Sequence, residues 1–448
     1  IFLAAVVLAA TVFLGTAACA SSYDAQADAL NEMGLFLGGD AGYELDRAST
    51  RGEAAVMLVR LLGRETEAKA GTYEDPFTDV PSWAKQYVGY MYAGGLTKGT
   101  SPTTYSAATG CSAQMFTTFV LRALGYSEEN GDFTFADAEE FGMEIGLTAG
   151  YGFSSTFLRD DMVALAYSAL FQPVNDDSGM TLLEKLVAQG AVDAEAADKY
   201  LDAYRVYEGY LTMAAKAELG TDQNVEISTS ADITMTMEEA TIRMTQESDT
   251  AIVFRPENED FIMKQQSATG FFGLTTETTT YYADGWVYTE SDGEKYKYQE
   301  TIDLSTAMSQ AGFGSEASVP FYLIDGMEKT ETAEGTTYTI AYSTAAMNGM
   351  LGGVLSEMED TSESGSMRYD SLTAEVSFDT DGNIRSTAMA ADVHLESSAD
   401  EQTLVMDMSI QTVTSVVARG DAVTITLPSD LDEYEDLTSE PATGVETV

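Results

Sequence analysis

Three observations predict an α+β, multidomain chain: a degenerate helical repeat over the first third, a second helical stretch behind it, and a switch to two-residue periodicity beyond about Asp222. The repeat is clearest where Leu58-Val59-Arg60-Leu61-Leu62-Gly63 returns as Val120-Leu121-Arg122-Ala123-Leu124-Gly125. A period of roughly 50 to 60 residues marks stacked equivalent units, and so a binding array more readily than one catalytic cleft. The 448 residues suffice for two or three domains, each able to bury a core.

The chain opens on an apolar run, Ile1 to Leu14, too short to span a bilayer comfortably and followed by small residues. It reads as the hydrophobic part of a secretory signal over 1–20, which makes the mature protein an exported one. Two processing routes fit. One is cleavage after Ala20 in Ala18-Cys19-Ala20; the other is lipidation of Cys19 behind a poor lipobox, Thr16-Ala17-Ala18-Cys19.

Residues 21–175 divide into three units at about 24–65, 75–127 and 132–171, each reading helix, loop, helix. Gly34-Leu35-Phe36-Leu37-Gly38, Gly95-Leu96-Thr97-Lys98-Gly99 and Gly146-Leu147-Thr148-Ala149-Gly150 align as helix stops leading into short loops. Thr50-Arg51-Gly52-Glu53, Ser112-Ala113-Gln114-Met115 and Leu158-Arg159-Asp160-Asp161 align as the starts of the second helices. Thr50 and Glu53 have the spacing of a capping box. Arg51 stands at the positive end of the helix dipole, where a cation is disfavoured by roughly 0.3 to 1 kcal/mol, and so implies an anion nearby, either an acidic neighbour or a bound carboxylate. In Phe77-Thr78-Asp79-Val80-Pro81-Ser82-Trp83-Ala84, Asp79 reads first as an N-cap and second as a partner for ligand hydroxyls. Trp83 suits either a core or a sugar-stacking platform.

In this order, three times over, the motifs resemble the S-layer homology domain. The resemblance implies an all-α bundle of three repeats that docks non-covalently on secondary cell-wall polysaccharide, typically acidic and pyruvylated. It implies Arg51 and Arg159 as grips on the acid, with Asp79 and Trp83 against the sugar. Ala113 replaces the arginine in the second unit, so that groove is expected to be weak or silent.

Residues 176–221 read as a helical spacer or lid, with Leu182, Leu183, Leu186 and Val187 on one stripe and Tyr200, Tyr204, Tyr207 and Leu211 on another. Over 222–435, Ile233, Met235 and Met237 alternate with polar residues, as do Met406, Met408 and Ile410, which predicts half-buried antiparallel strands. Ala283-Asp284-Gly285, Ser291-Asp292-Gly293 and Asp381-Gly382-Asn383 are hairpin turns between them. Helical insertions are expected near Ile302 to Gln310 and from Ala345 to Met358. Tyr281-Tyr282-Ala283-Asp284-Gly285-Trp286-Val287-Tyr288, leading to Lys295-Tyr296-Lys297, resembles exported domains related to the lipoprotein-carrier (LolA/LppX-like) half-barrel. That resemblance implies a sheet curled around helices, an apolar cavity and a hydrophobic ligand. Residues 436–448 form an acidic tail.

Acidic residues outnumber basic ones 73 to 22, a formal charge of -51 that repels nucleic acid and anionic lipid. Cys19 and Cys111 alone exclude a disulfide framework and a cysteine zinc site, and Cys111 reads as a small, partly buried residue at a helix start. His394, in the strand of Met389, Ala391, Val393 and Leu395, points to the polar face beside Asp392 without a partner for a dyad or metal. Asp379-Thr380-Asp381-Gly382-Asn383 lacks the downstream glutamate of a calcium loop and reads as a turn. The Met-rich strand faces suit a core, or an adaptable wall for a lipid or peptide. No cofactor, metal or catalytic constellation is expected, and the chain reads as a binding protein rather than an enzyme. The expected protein is extracellular, anchored to cell-wall polysaccharide and displaying a β-rich domain; the alternative is a hydrophobic-ligand carrier, membrane-anchored as a lipoprotein, with the repeats as its tether.

Overall fold

In the computed structural model, which describes residues 23–39, 41–148, 153, 156–217, 224–237, 240–255, 260–304, 306–307, 319–348, 364–399 and 402–438, glycine sets the ends of the repeat helices. The segment 1–20 with Cys19, residues 305 and 308–310 of the first expected helical insertion, 349–358 of the second, and residues 439–448 lie outside the described residues. The first-third helices are α1 (Asp24–Glu32), α2 (Arg51–Leu61), α3 (Glu65–Ala70), α4 (Lys85–Ala93), α5 (Ala113–Ala123), α6 (Ala138–Glu144) and α7 (Arg159–Leu170). Gly34, Gly95 and Gly146 follow α1, α4 and α6 at φ of 73°, 73° and 78°, a region that side chains disfavour. After each, a leucine N–H reaches back five residues: Leu35 to Leu30, Leu96 to Met91, Leu147 to Gly142.

The second helices repeat bonds as well. Arg60 of α2 donates to the Leu35 carbonyl and to Glu65; Arg122 of α5 donates to the Leu96 carbonyl and to Glu128. Every residue of α7 is buried, and α1, α2 and α5 pack against it. Leu30, Leu58, Leu61, Met91, Phe116, Leu121, Leu147 and Met162 are fully buried in this unit.

Two further helices follow, α8 (Leu182–Ala188) and α9 (Ala194–Lys216). The chain forms two compact units, and the division falls inside α9: the first unit holds 1–207, 319–326 and 343–367, the second 208–318, 327–342 and 368–448. In the first unit, the 3-10 turn Phe321–Leu323 enters the helical core from far along the chain. The Phe321 ring lies 4.6 Å from Phe171 and 5.3 Å from both Tyr204 and Tyr207. Tyr207 Oη donates to the Val319 carbonyl at 2.9 Å, and Gln26 Nε2 to the Tyr322 carbonyl at 3.1 Å.

The second unit is built on a 12-stranded open sheet, which with the helices makes the chain α+β. Its strands are β1 (Val225–Met237), β2 (Ala240–Arg255), β3 (Asp260–Phe271), β4 (Leu274–Ala283), β5 (Trp286–Ser291), β6 (Glu294–Gln299), β7 (Ile324–Thr332), β8 (Gly335–Tyr342), β9 (Ser364–Phe378), β10 (Ile384–Ala399), β11 (Gln402–Arg419) and β12 (Glu435–Asp436). The order is β12-β6-β5-β4-β3-β2-β1-β11-β10-β9-β8-β7: a meander outward from β1, then a second whose last long strand closes against β1. Ile233 faces Ile410 and Met244 in antiparallel register, and Met235, Val393 and Met408 are buried on the same patch. Val225, Ile227, Ile252, Phe261, Met263, Tyr282 and Val287 form a second apolar cluster. Tyr210, from the end of α9, packs its ring 5.5 Å from Tyr338.

Three hairpins here use two-residue turns with positive φ at both positions: Phe272-Gly273 (50°, 77°), Asp284-Gly285 (52°, 78°) and Asp292-Gly293 (51°, 86°). Aspartate tolerates that conformation, whereas phenylalanine is strained in it by about 1 kcal/mol. Phe272→Asp is therefore expected to raise the midpoint of chemical unfolding by the equivalent of about 1 kcal/mol. An unchanged midpoint would mean that contact with the Phe271 ring, 4.3 Å away, cancels the strain.

Candidate functional site

The first N–H groups of a helix have no partner within it, and here they are satisfied by a neighbouring repeat. Arg51 and Gly52 of α2 donate to the Thr109 and Ala107 carbonyls of the second unit, at 3.0 and 2.9 Å. Arg159 and Asp160 of α7 donate to the Arg47 and Leu45 carbonyls of the first, at 2.9 and 3.0 Å. The side chains keep the same relation. Arg51 Nε donates to the Tyr105 carbonyl at 3.0 Å with its guanidinium 4.9 Å from the Tyr105 ring centre. Arg159 Nε donates to the Tyr43 carbonyl at 2.7 Å and lies 4.9 Å from the Phe36 ring centre.

Geometrically equivalent, the two cations differ in charge balance. Arg159 Nη1 donates to Glu53, which also holds Arg47 and accepts from Thr50 N–H in a complete capping box. Arg51 Nη1 meets instead the Met115 sulfur at 2.9 Å, and Met115 occupies in the second unit the place of Glu53 in the first. A thioether neutralises nothing. Arg159 is 5% exposed and its guanidinium is paired with Glu53 inside the fold. In α7, Leu158 carries no acceptor, so only the reciprocal half of a cap forms, Asp161 accepting from Leu158 N–H at 2.6 Å.

Asp79 does not cap α4, whose N-cap position is Ala84 without a side-chain bond. Its carboxylate instead accepts from Tyr105 N–H at 2.8 Å and Ser106 N–H at 2.7 Å, and the first of these bonds holds its carboxyl below the usual range. This fixes the loop that receives Arg51, including Ser106 at φ 65°; Glu44, its counterpart in the first unit, stands at 49°.

Trp83 is 53% exposed and so is not core. Its ring edge lies over Gly52, where a Cβ would come within 3.0 Å of it. It walls a cleft of about 370 Å³ whose other sides include Phe36, Tyr87, Glu53, Arg60 and Arg159. The four expected site residues thus separate into two neighbouring places, Trp83 with Arg159 and Arg51 with Asp79. Sequence reading missed Tyr87, Arg60, Tyr105 and Met115. Arg60 was signalled by its recurrence as Arg122, and Met115 by its alignment with Glu53.

Elsewhere, burial pushes the Cys111 thiol up to about 12, which keeps it protonated and unreactive at neutral pH. His394 pairs across the strands with Asp407 at 2.6 Å rather than with Asp392, which accepts from Ser371. Asp379 Oδ1 accepts from the N–H groups of Asp381 and Asn383, both at 2.9 Å, the bonding of a turn. Among the described residues, no group of three His, Cys, Asp or Glu could hold a metal ion, and no helix is long and apolar enough to cross a membrane.

No protein-family model matches the chain and no curated protein is similar to it in sequence. Among solved structures it is similar to LprF from Mycobacterium bovis, at 9% identity and a TM-score of 0.24 over 50% of this chain and 97% of that one. A DUF1329 family protein from Desulfovibrio piger aligns at 8% identity and 0.15, over 51% and 95%. A putative outer membrane lipoprotein-sorting protein domain from Vibrio parahaemolyticus aligns at 9% and 0.15, over 52% and 97%. Likeness at this level assigns neither fold nor activity.

Proposed function

We propose that the helical unit binds an acidic cell-wall polysaccharide and holds the sheet unit at the surface of an exported bacterial protein, with no catalytic step. The observation that carries this reading is the contrast between the two arginines. Among the described residues Arg51 forms no ion pair at the junction where its equivalent is paired with a carboxylate, Asp79 lying near enough only to feel its charge, and a sugar carboxylate has the shape its planar fork accepts. The exposed Trp83 face beside the cleft suits an apolar sugar face at the adjacent position. Two modest contacts on one polymer reinforce each other, because the second is effectively intramolecular.

The test is retention of the chain on purified sacculi before and after removal of secondary polysaccharide. Arg51→Ala is expected to weaken binding about ten- to hundredfold, the value of hydrogen bonds to a charged group. Met115→Glu gives Arg51 the internal partner that Arg159 already has, and is expected to weaken binding equally while the helices stay folded. Unaltered retention of Met115→Glu would remove Arg51 from the site.

A second reading concerns the sheet unit as a carrier of a hydrophobic ligand. It is favoured by the apolar patch of Ile233, Met235, Met244, Val393, Met408 and Ile410, in which three flexible thioethers lie side by side. Extraction of the purified chain with organic solvent, followed by mass spectrometry, decides it: a stoichiometric lipid supports a carrier and its absence favours a packed core.

A further inference from the structure

The hairpin joining β3 to β4 ends on Phe271-Phe272-Gly273-Leu274. Phe272 is 69% and Leu274 75% exposed, more than any other large apolar side chain among the described residues. Pairing with β5 begins only at Thr278 opposite Ser291, so Leu274 to Glu277 run four residues, roughly 13 Å, past the β5–β6 hairpin and leave that flank of the tip open, while on the other flank β2 continues from Met244 to Ala240 beyond Phe271. The tip is also locally wrong. The two other hairpins of this geometry place aspartate where this one holds Phe272 at φ 50°. A bulky residue kept in a left-handed conformation on the surface, where packing does not require it, marks a functional use.

We infer that this tip is a membrane-inserting wedge for bilayers with zwitterionic headgroups. Positions 271–274 carry no side-chain donor or acceptor with which to orient a protein partner, and a fluid apolar phase needs none. Both apolar side chains stand mostly in solvent, 69% and 75% exposed, rather than lining a cavity. The excess of 73 acidic over 22 basic residues repels anionic lipid, which leaves neutral headgroups as the surface the tip can approach. One phenylalanine and one leucine give weak, reversible attachment, suited to a protein already held near a membrane.

The experiment is flotation of the full chain with phosphatidylcholine vesicles. Phe272→Asp restores the Asp-Gly turn used elsewhere in the sheet, so its loss of binding is not loss of folding. It is expected to raise the lipid concentration for half-binding about tenfold or more. Phe272→Trp adds a third tryptophan to Trp83 and Trp286, and its emission is expected to shift to the blue and to be quenched by brominated phosphatidylcholine. Equal flotation of wild type and Phe272→Asp overturns the proposal, as does wild type that fails to float. Lipid-free dimers abolished by Phe272→Asp would assign the tip to a second copy of the chain. Stronger binding to phosphatidylglycerol than to phosphatidylcholine would overturn the choice of headgroup.

Discussion

Glu53→Ala is expected to destabilise the helical unit by about 3 to 5 kcal/mol, because it strands a buried cation and removes a helix cap at once. Arg159 is almost wholly buried and Glu53 is the carboxylate its guanidinium contacts, while the same carboxylate accepts from Thr50 N–H at 2.9 Å. Arg47 touches Glu53 too, but with its side chain 39% exposed, so Arg47→Ala is expected to cost less than about 1 kcal/mol. Urea titration on a Trp286→Phe background, where Trp83 is the sole tryptophan, separates the two outcomes. Near-equal effects of the two substitutions would sink the buried-charge argument. The pair also has a pH signature. Burial raises the Glu53 carboxyl, but Arg47, the charge of Arg159 and Thr50 outweigh it, and the net shift is downward. A carboxyl depressed by folding contributes stability above its unfolded value, about 4.3, and loses it as pH falls through the lower folded value. Wild type should therefore lose more stability than Glu53→Ala on acidification through that window.

The capping box of Thr50 and Glu53, the glycine stops at Gly34, Gly95 and Gly146, and the Asp-Gly turns were legible in the sequence because each is decided within a few residues by backbone chemistry. The roles of Asp79, Arg159 and Trp83 were not, because each depends on residues far away in the sequence that the fold brings to the same place. Asp79 sits beside a proline and so mimics a cap, but its partners lie 26 and 27 residues away. Arg51 and Arg159 both open a second helix, and each bonds a loop carbonyl through Nε. In charge balance they part company through Met115 and Glu53, which lie 64 and 106 residues from them. Alignment of the three helix starts already held that distinction; the missing step was that each arginine faces the next unit's helix rather than its own.

Phe321→Ala is expected to cost the helical unit about 3 to 5 kcal/mol, the range for deleting a buried aromatic ring. Nothing near Phe321 in the sequence announces this, since it follows the strands of the second unit's first meander and precedes β7. Yet its ring meets Phe171, Tyr204 and Tyr207, so the helical core of residues 23–207 is closed by a segment more than a hundred residues downstream. The loop-closure entropy of recruiting so distant a segment grows only logarithmically with separation, so a well-packed aromatic can offset it. Tyr207→Phe removes just the bond to the Val319 carbonyl and is expected to cost about 1 kcal/mol. Amide hydrogen exchange checks the pair. Phe321→Ala should accelerate exchange at Leu323 and along α7 and α9 together, if the inserted turn is part of one cooperative core. Acceleration confined to residues 319–326, with α7 still protected, would instead make the segment a strap lying on a helical bundle that is complete without it.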